Sequence, residues 1–360
     1  MSKAAELAAL IGSGQAQGDK NLIINGGMAV SQRGTSETGV GGSSGYFTCD
    51  RWRIDTGNTA GRVTMSQASI TDLTGFATAL KLDVTTADTS IASGEVFRVG
   101  QRIEGQNLQQ LAKGTASAKS LTLSFYVKGN AAATYVAQLK DVDNTRVNTQ
   151  NFSVTTSWTR VELTYAADTT GTLDNNNANS LEVMFWLHAG SDFTSGTFAS
   201  NTWASETNAN NYAGSNTSIF DSTNRELFIT GVSLEIGDVA TPFEHESFAE
   251  TLRKCQRYYQ RAGTVSGFFT NTGGRVRGVL VGETGMRAQP TSSNTTGLAI
   301  YYKATVATGA VTILTAPGNF RNGPASFIDF NTVASSTVQG QGFASDNNTD
   351  VRYFELDAEL

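Results

Sequence analysis

A chain of 360 residues is long for one domain, and its formal net charge of −6 leaves no basic face with which to displace the counterions of nucleic acid. Charged residues make up 16%, Pro is limited to four, and Gly, Ser, Thr and Asn abound, which suits short strands and many turns rather than a disordered chain. Nucleic acid is therefore excluded as a partner, whereas an acidic, hydroxyl-rich surface admits neutral partners such as sugars.

The chain opens on "MSKAAELAALIG", with no basic leader, no cleavage site and Glu6 in its middle. A signal peptide is not expected, and no apolar run approaches the length of a membrane span, so no membrane insertion is expected either. Ser2 can cap a helix over residues 3–11, with Leu7, Leu10 and Ile11 as an apolar edge and Gly12 ending it. A helix this short is marginal alone. Residues 1–20 are therefore expected to be an attachment segment that docks on a partner or on copies of itself.

From residue 21 to about 245 the pattern has period two. "NLIINGGM" predicts a first strand whose Gly26–Gly27 pair marks a bulge or a close backbone approach. "FTCDRWRID" follows, with Trp52 and Ile54 on one face. "LTLSFYVKG" sets Leu121, Leu123, Phe125 and Val127 against Thr122, Ser124, Tyr126 and Lys128. "LEVMFWLHAG" sets Leu181, Val183, Phe185 and Leu187 against Glu182, Met184, Trp186 and His188. One apolar face per strand is the mark of a half-buried antiparallel sheet. With "ALKLDVTT", "WTRVELTY" and "ELFITGVSLEIG" added, the fold class is mainly β: an antiparallel jelly-roll sandwich over residues 21–246. "SFAETLRKCQRYYQ" then predicts a linking helix over 247–261, begun by a Ser247/Glu250 capping box, with Phe248, Leu252, Cys255 and Tyr259 on its apolar side. Residues 262–360 return to Gly-rich strands and form a smaller β-rich C-terminal domain, whose weak core would gain from association.

The order of the motifs "NLIINGGMAVSQRGT", "FTCDRWRI", "VGQRIEG", "LTLSFYVKG", "SLEIGDVATPFEHES" and "LRKCQRYYQ" resembles a family of tailed-bacteriophage virion proteins, mostly tail-fibre or fibre-like chains. The resemblance spans roughly residues 21–260. It implies a jelly roll like that of carbohydrate-binding modules, a homotrimer, and an N-terminus attached to other virion proteins. It also implies a virion localisation, with folding in the host cytoplasm.

Chemistry in the sequence is sparse. "GGSSG" around Ser43 matches the nucleophile-elbow pattern but lies in a loop, and "DVDNTR" from Asp141 lacks the Gly and Glu of a calcium loop. The two cysteines, Cys49 and Cys255, fit no metal or redox spacing, and the two histidines, His188 and His245, have no zinc spacing. No catalytic residue, metal or other cofactor is expected. Glu182 with Asp141 or Asp143 is the only carboxylate pair worth testing for glycoside hydrolysis. The sharper candidate is a glycan-binding face of Tyr126, Lys128, Glu182, Trp186 and His188, with Trp203 as an exposed aromatic beside it. The competing reading packs these aromatics under loops or against a neighbouring subunit. Trp52 and Trp158 are expected in the core. Three roles remain open: a receptor-binding fibre contacting host glycan, a head fibre, decoration or neck ornament without a defined ligand, and a polysaccharide depolymerase.

Overall fold

The computed structural model describes residues 21–214, 216–262, 285–288 and 354–360, and the backbone of the strands between residues 265 and 346. Leu7, Leu10 and Ile11, the expected attachment edge, lie outside the described residues.

Thirteen strands build the first part of the chain: Ser36–Val40 (β1), Gly45–Tyr46 (β2), Arg53–Gly57 (β3), Arg62–Ser69 (β4), Thr78–Thr86 (β5), Val96–Glu104 (β6), Leu121–Gly129 (β7), Ala133–Asp141 (β8), Arg146–Val154 (β9), Thr159–Tyr165 (β10), Asn179–Ala189 (β11), Ala204–Ser205 (β12) and Glu226–Ile236 (β13). They form a six-stranded sheet in the order β1-β4-β5-β13-β7-β10 and a seven-stranded sheet in the order β12-β9-β8-β11-β6-β3-β2. The pairings are antiparallel, and the architecture is the expected jelly-roll sandwich.

Alternation decides what lies between the sheets. Leu121, Leu123, Phe125 and Val127 of β7 meet Leu181, Val183, Phe185 and Leu187 of β11 in one buried cluster. Its centre is aromatic: Phe125 stands edge-on to Phe185 at 4.8 Å and to Phe152 at 5.1 Å, and Trp52 stacks on Phe185 at 6.3 Å. Cys49 and Cys255 are buried free thiols, and burial pushes the Cys49 thiol up to about 12.

The segment 21–30 is not a strand. Asn25 and Met28 take left-handed backbone angles, φ 59° and 56°, which interrupt any extended run. The segment still lies along β13, since Leu22 N–H donates to Leu234 O (2.9 Å) and Val232 N–H donates to Gly26 O (3.0 Å). The close approach expected of the glycine pair is real at Gly26, where a Cβ would fall 2.0 Å from Val232 O.

"GGSSG" is a turn entering β2 rather than a helix, and "DVDNTR" is the β8–β9 hairpin turn. That turn is anchored rather than loose: Asp141 is buried, ion-paired to Lys113, and accepts from Asn144 N–H at 3.0 Å. The linking helix runs Phe248–Gln256, and Ser247 Oγ accepts from Glu250 N–H as the capping box requires. Its buried residues are Thr251 and Cys255, whereas Phe248 is 59% exposed, so the apolar stripe is narrower than expected.

After the helix, Tyr259–Ala262, Phe354–Asp357 and Thr291–Ser293 share a three-stranded sheet. The last residues come back to the sandwich. Arg33 pairs with Asp357 (3.0 Å) and lies 3.6 Å from the Tyr259 ring centroid, while buried Arg51 pairs with Glu359 and stacks on Tyr258 at 3.5 Å. Burial opposes the charge on Arg51, but Glu359, Tyr258 and Tyr46 outweigh it, and its pKa is raised.

Candidate functional site

The two outer faces of the sandwich differ. On the seven-stranded sheet, residues 190–214 and 216–222 fold back as a roof over β11, through Phe193, Asn211, Tyr212 and Ser218. Trp186 beneath it is fully buried, tilted against Phe193 at 5.5 Å and stacked on Tyr212 at 6.3 Å, and its Nε1–H donates to Gln138 Oε1 at 3.1 Å. Gln138 in turn donates to Asn211 of the roof at 2.9 Å.

On the six-stranded sheet the outer face is open enough to act. Register sets Lys128 of β7, Phe228 of β13, Lys81 of β5 and Ser66 of β4 in one row. Trp158, just before β10, extends that row, because it shares strand parity with Arg160 and Glu162 while Val161, Leu163 and Tyr165 alternate with them. All of Trp158, Lys128, Phe228 and Lys81 are half-buried. The Lys128 ammonium sits 5.1 Å from the Trp158 centroid and 5.0 Å from that of Phe228, and Lys81 lies 5.4 Å from Phe228. Trp158 Nε1–H donates to Asp72 Oδ1 at 2.9 Å, and Lys128 donates to the other oxygen. Those two bonds hold the exposed Asp72 carboxyl below the usual carboxylate range. Burial opposes the Lys81 charge, yet the carboxylates of Glu226, at 2.7 Å, and Asp83 raise its pKa.

Two residues before Lys128 on β7 and on the same face, Tyr126 joins this row to a second aromatic group. Phe76 lies 5.1 Å from Tyr126, 5.3 Å from Phe243 and 4.9 Å from His245. Gly231, at φ +60° where the β7–β13 register shifts, makes the room: a Cβ there would meet the Phe76 ring at 2.7 Å. Phe76, Phe243 and His245 wall a groove of about 990 Å³ that runs past Gly26 and Gly27, with Glu244 and Glu250 on its rim. Arg253 holds the exposed Glu250 carboxyl below its ordinary value.

The fold thus divides the six expected glycan-binding residues. Tyr126 and Lys128 are in place on the open face. Glu182, Trp186 and His188 are on the other sheet and buried. Trp186 lies under the roof, and Glu182 is held against Arg102, which also donates to Leu360 O. A register shift after Trp186 sets His188 opposite Phe97 and turns it inward. Glu182 lies 3.0 Å from Arg102 Nε and accepts from Asn179 at 2.7 Å. His188 Nε2 is 3.2 Å from Glu95 and Nδ1 is 2.8 Å from Ser218 Oγ. Trp203 is half-buried at the sandwich edge, its Nε1–H donating to Ala166 O at 2.7 Å under Lys113. Trp158, expected in the core, instead heads the half-buried outer row; parity in "WTRVELTY" carries that signal, as it does for Phe228 in "ELFITG". Phe76 and Phe243 sit in loops, where periodicity offers nothing. Of the carboxylates expected beside Glu182, Asp143 sits exposed in the β8–β9 turn, where it accepts from Asp174 N–H at 2.9 Å. Asp141 lies opposite Leu181 and faces the core, so Glu182, one residue on, points to the other side.

The fold and this face define a mainly β, antiparallel jelly-roll sandwich with an aromatic outer surface on one sheet. No family model matches the chain, and no curated protein matches it. Solved structures with some likeness include the enzymatically active domain of tailspike protein 4 of bacteriophage CBA120, at 12% identity and a TM-score of 0.30. That match covers 60% of this chain and 21% of the tailspike, so the chain spans about a fifth of that protein's length. A family 11 carbohydrate-binding module from Clostridium thermocellum, in complex with a β-1,3-1,4-mixed-linked tetrasaccharide, gives 13% and 0.29 over 57% of this chain and 98% of the module. A family 30 carbohydrate-binding module gives 13% and 0.31 over 65% and 95%. At these identities and scores the likenesses say nothing of ligand or assembly.

Proposed function

We propose that the protein binds carbohydrate through the outer face of its six-stranded sheet, as part of a fibre-like appendage of a bacteriophage particle. The observation that carries the binding reading is the half-exposed row of Trp158, Lys128, Phe228 and Lys81 joined through Tyr126 to the groove of Phe76, Phe243 and His245. Aromatic faces stack on the C–H surfaces of sugar rings. The ammonium and carboxylate groups between them give and take hydroxyl hydrogen bonds. A groove of about 990 Å³ matches the size at which small ligands are held.

The virion role rests on the order of sequence motifs, and with it come the homotrimer, attachment through residues 1–20, and the division into a sandwich, a helix and a C-terminal β domain. On this reading the protein adheres and does not hydrolyse. The structural alternative, a head fibre or decoration, shares the attachment and lacks the ligand. A depolymerase is disfavoured by the opposite facing of Glu182 and Asp141.

A panel of bacterial surface polysaccharides screened by affinity electrophoresis tests the binding. Trp158→Ala should weaken retention by about 1–2 kcal/mol, roughly five- to thirty-fold, while Trp203→Ala leaves it unchanged. Equal retention of parent and Trp158→Ala would remove this face from the reading. Immunogold labelling of particles then separates a tail position from a capsid one.

A further inference from the structure

Two carboxylates from the β5–β6 connection and a histidine distant in sequence converge where the two sheets meet the roof. Asp88 follows β5, Glu95 precedes β6 and His188 lies near the end of β11. They are 5%, 5% and 0% exposed, and their ligand atoms all lie within 4.8 Å of one another. His188 Nε2 is 3.2 Å from Glu95 Oε2. Among the described residues, neither carboxylate is ion-paired with a lysine or arginine. Two buried carboxylates side by side need compensation, from protons or from a cation.

The surroundings favour a cation. Ser218 Oγ, 2.8 Å from His188 Nδ1, can take that nitrogen's proton as a hydrogen bond and so leave the Nε2 lone pair facing the carboxylates. Asp88 is oriented in the same manner, since Oδ2 accepts from Thr59 Oγ1 (2.9 Å) and Ala60 N–H (2.8 Å). The Phe220 ring stands edge-on to His188 at 5.2 Å and walls the site. Two ligands at ~2.0–2.1 Å on a tetrahedral ion stand ~3.3–3.5 Å apart. The His188–Glu95 separation is already close to that.

We propose that Asp88, Glu95 and His188 bind one divalent cation of the zinc class, which ties β5 of one sheet to β6 and β11 of the other and, through Ser218, to the roof. One imidazole nitrogen with two carboxylate oxygens suits zinc, whereas calcium and magnesium prefer oxygen alone. The histidine spacing in the sequence could not reveal the site, because its ligands come from three separate strand ends. The site lies between the ends of the two sheets, away from the proposed glycan face, and stands independently of it.

The experiment uses the full chain without a histidine tag, stripped with EDTA and dialysed against Zn2+, Ca2+ or Mg2+. Metal analysis should find one equivalent of zinc and a raised Tm with zinc only. Co2+ in its place should give the visible d–d bands of a four- or five-coordinate ion. Asp88→Asn and Glu95→Gln, which keep shape, should each lose the zinc, while His245→Gln, altering the only other histidine, keeps it. Zinc uptake retained in both carboxylate variants would place the ion elsewhere, and none in the parent would mean that a shared proton neutralises the cluster; either result overturns the proposal.

Discussion

The two adjacent glycines of "NLIINGG" should respond very differently to the same methyl group. At Gly26 a Cβ would lie 2.0 Å from Val232 O and 3.2 Å from the Phe243 ring, and the obstacle is backbone that cannot turn aside. Bringing that contact out to the 3.0 Å below which real Cβ contacts are essentially absent needs a retreat of about 1 Å. The segment is held at this point by Val232 N–H to Gly26 O (3.0 Å) and by Asn21, which donates to Val232 O (3.0 Å) and accepts from Leu234 N–H (2.9 Å). Losing two such bonds costs ~1 kcal/mol each, and overpacking adds ~1–3 kcal/mol. The reduced freedom of the unfolded chain returns ~0.4–1 kcal/mol. Gly26→Ala should therefore destabilise by about 2–4 kcal/mol. At Gly27 the nearest atom is a Phe243 ring carbon at 3.6 Å, an ordinary contact, so Gly27→Ala should stay within about 0.5 kcal/mol of the parent. Urea unfolding followed by tryptophan fluorescence gives both values. Two variants within 1 kcal/mol of each other would refute the claim that the segment is seated on β13 through Gly26.

Trp186→Ala, a change that would have looked like a probe of sugar stacking, should instead cost about 3–5 kcal/mol of stability, because the side chain is wholly enclosed; a variant of unchanged urea midpoint would place Trp186 outside the core. Asp50 offers a pH test. Burial, against the opposing bonds from Gln32, pushes its carboxyl up from 3.8 to about 6. The folded state thus holds this proton longer than the unfolded one, and the favourable contribution is complete below about pH 4 and lost as pH rises to about 6. The displacement corresponds to ~3 kcal/mol. Asp50→Asn should gain stability relative to the parent across that window, as read by urea unfolding at stepped pH, and a difference flat in pH would contradict the buried carboxyl.

Legibility followed periodicity. The strands around "LTLSFYVKG" and "LEVMFWLHAG" were readable because alternate residues differ sharply in hydropathy, and the capping box marked the helix start. Parity also fixed which residues leave the core, and it held Trp158 and Phe228 outside even where tryptophan's bulk suggested otherwise. What parity cannot tell is whether an outward face meets solvent. Glu182 and Trp186 face outward from β11 as expected, whereas a register shift after Trp186 sets His188 opposite Phe97 and turns it inward. The roof carries only short elements, Ser191–Thr194, Ala204–Ser205, Asn208–Asn210 and Ile219–Asp221, and so no periodic signature. The same blindness hid Phe76, Phe243 and the cluster of Asp88, Glu95 and His188, where long-range pairing brings the histidine to the two carboxylates.

The roof therefore settles more than packing. A sandwich has two outer faces, and covering one of them removes its aromatics from any role in recognition while giving the fold a second buried layer. Among the described residues, the other sheet is covered at its margin, by Phe76 from the loop before β5 and by Phe243 and His245 after β13. Partial cover of this kind makes walls instead of a lid. It makes a groove joined to the Trp158–Lys128–Phe228 row through the Phe76–Tyr126 contact, and the same Gly26 contact that seats the first segment on β13 brings that segment into the groove's lining. Binding and stability should thus be separable at Trp158, which lies away from the seat, and inseparable at Gly26, which forms it.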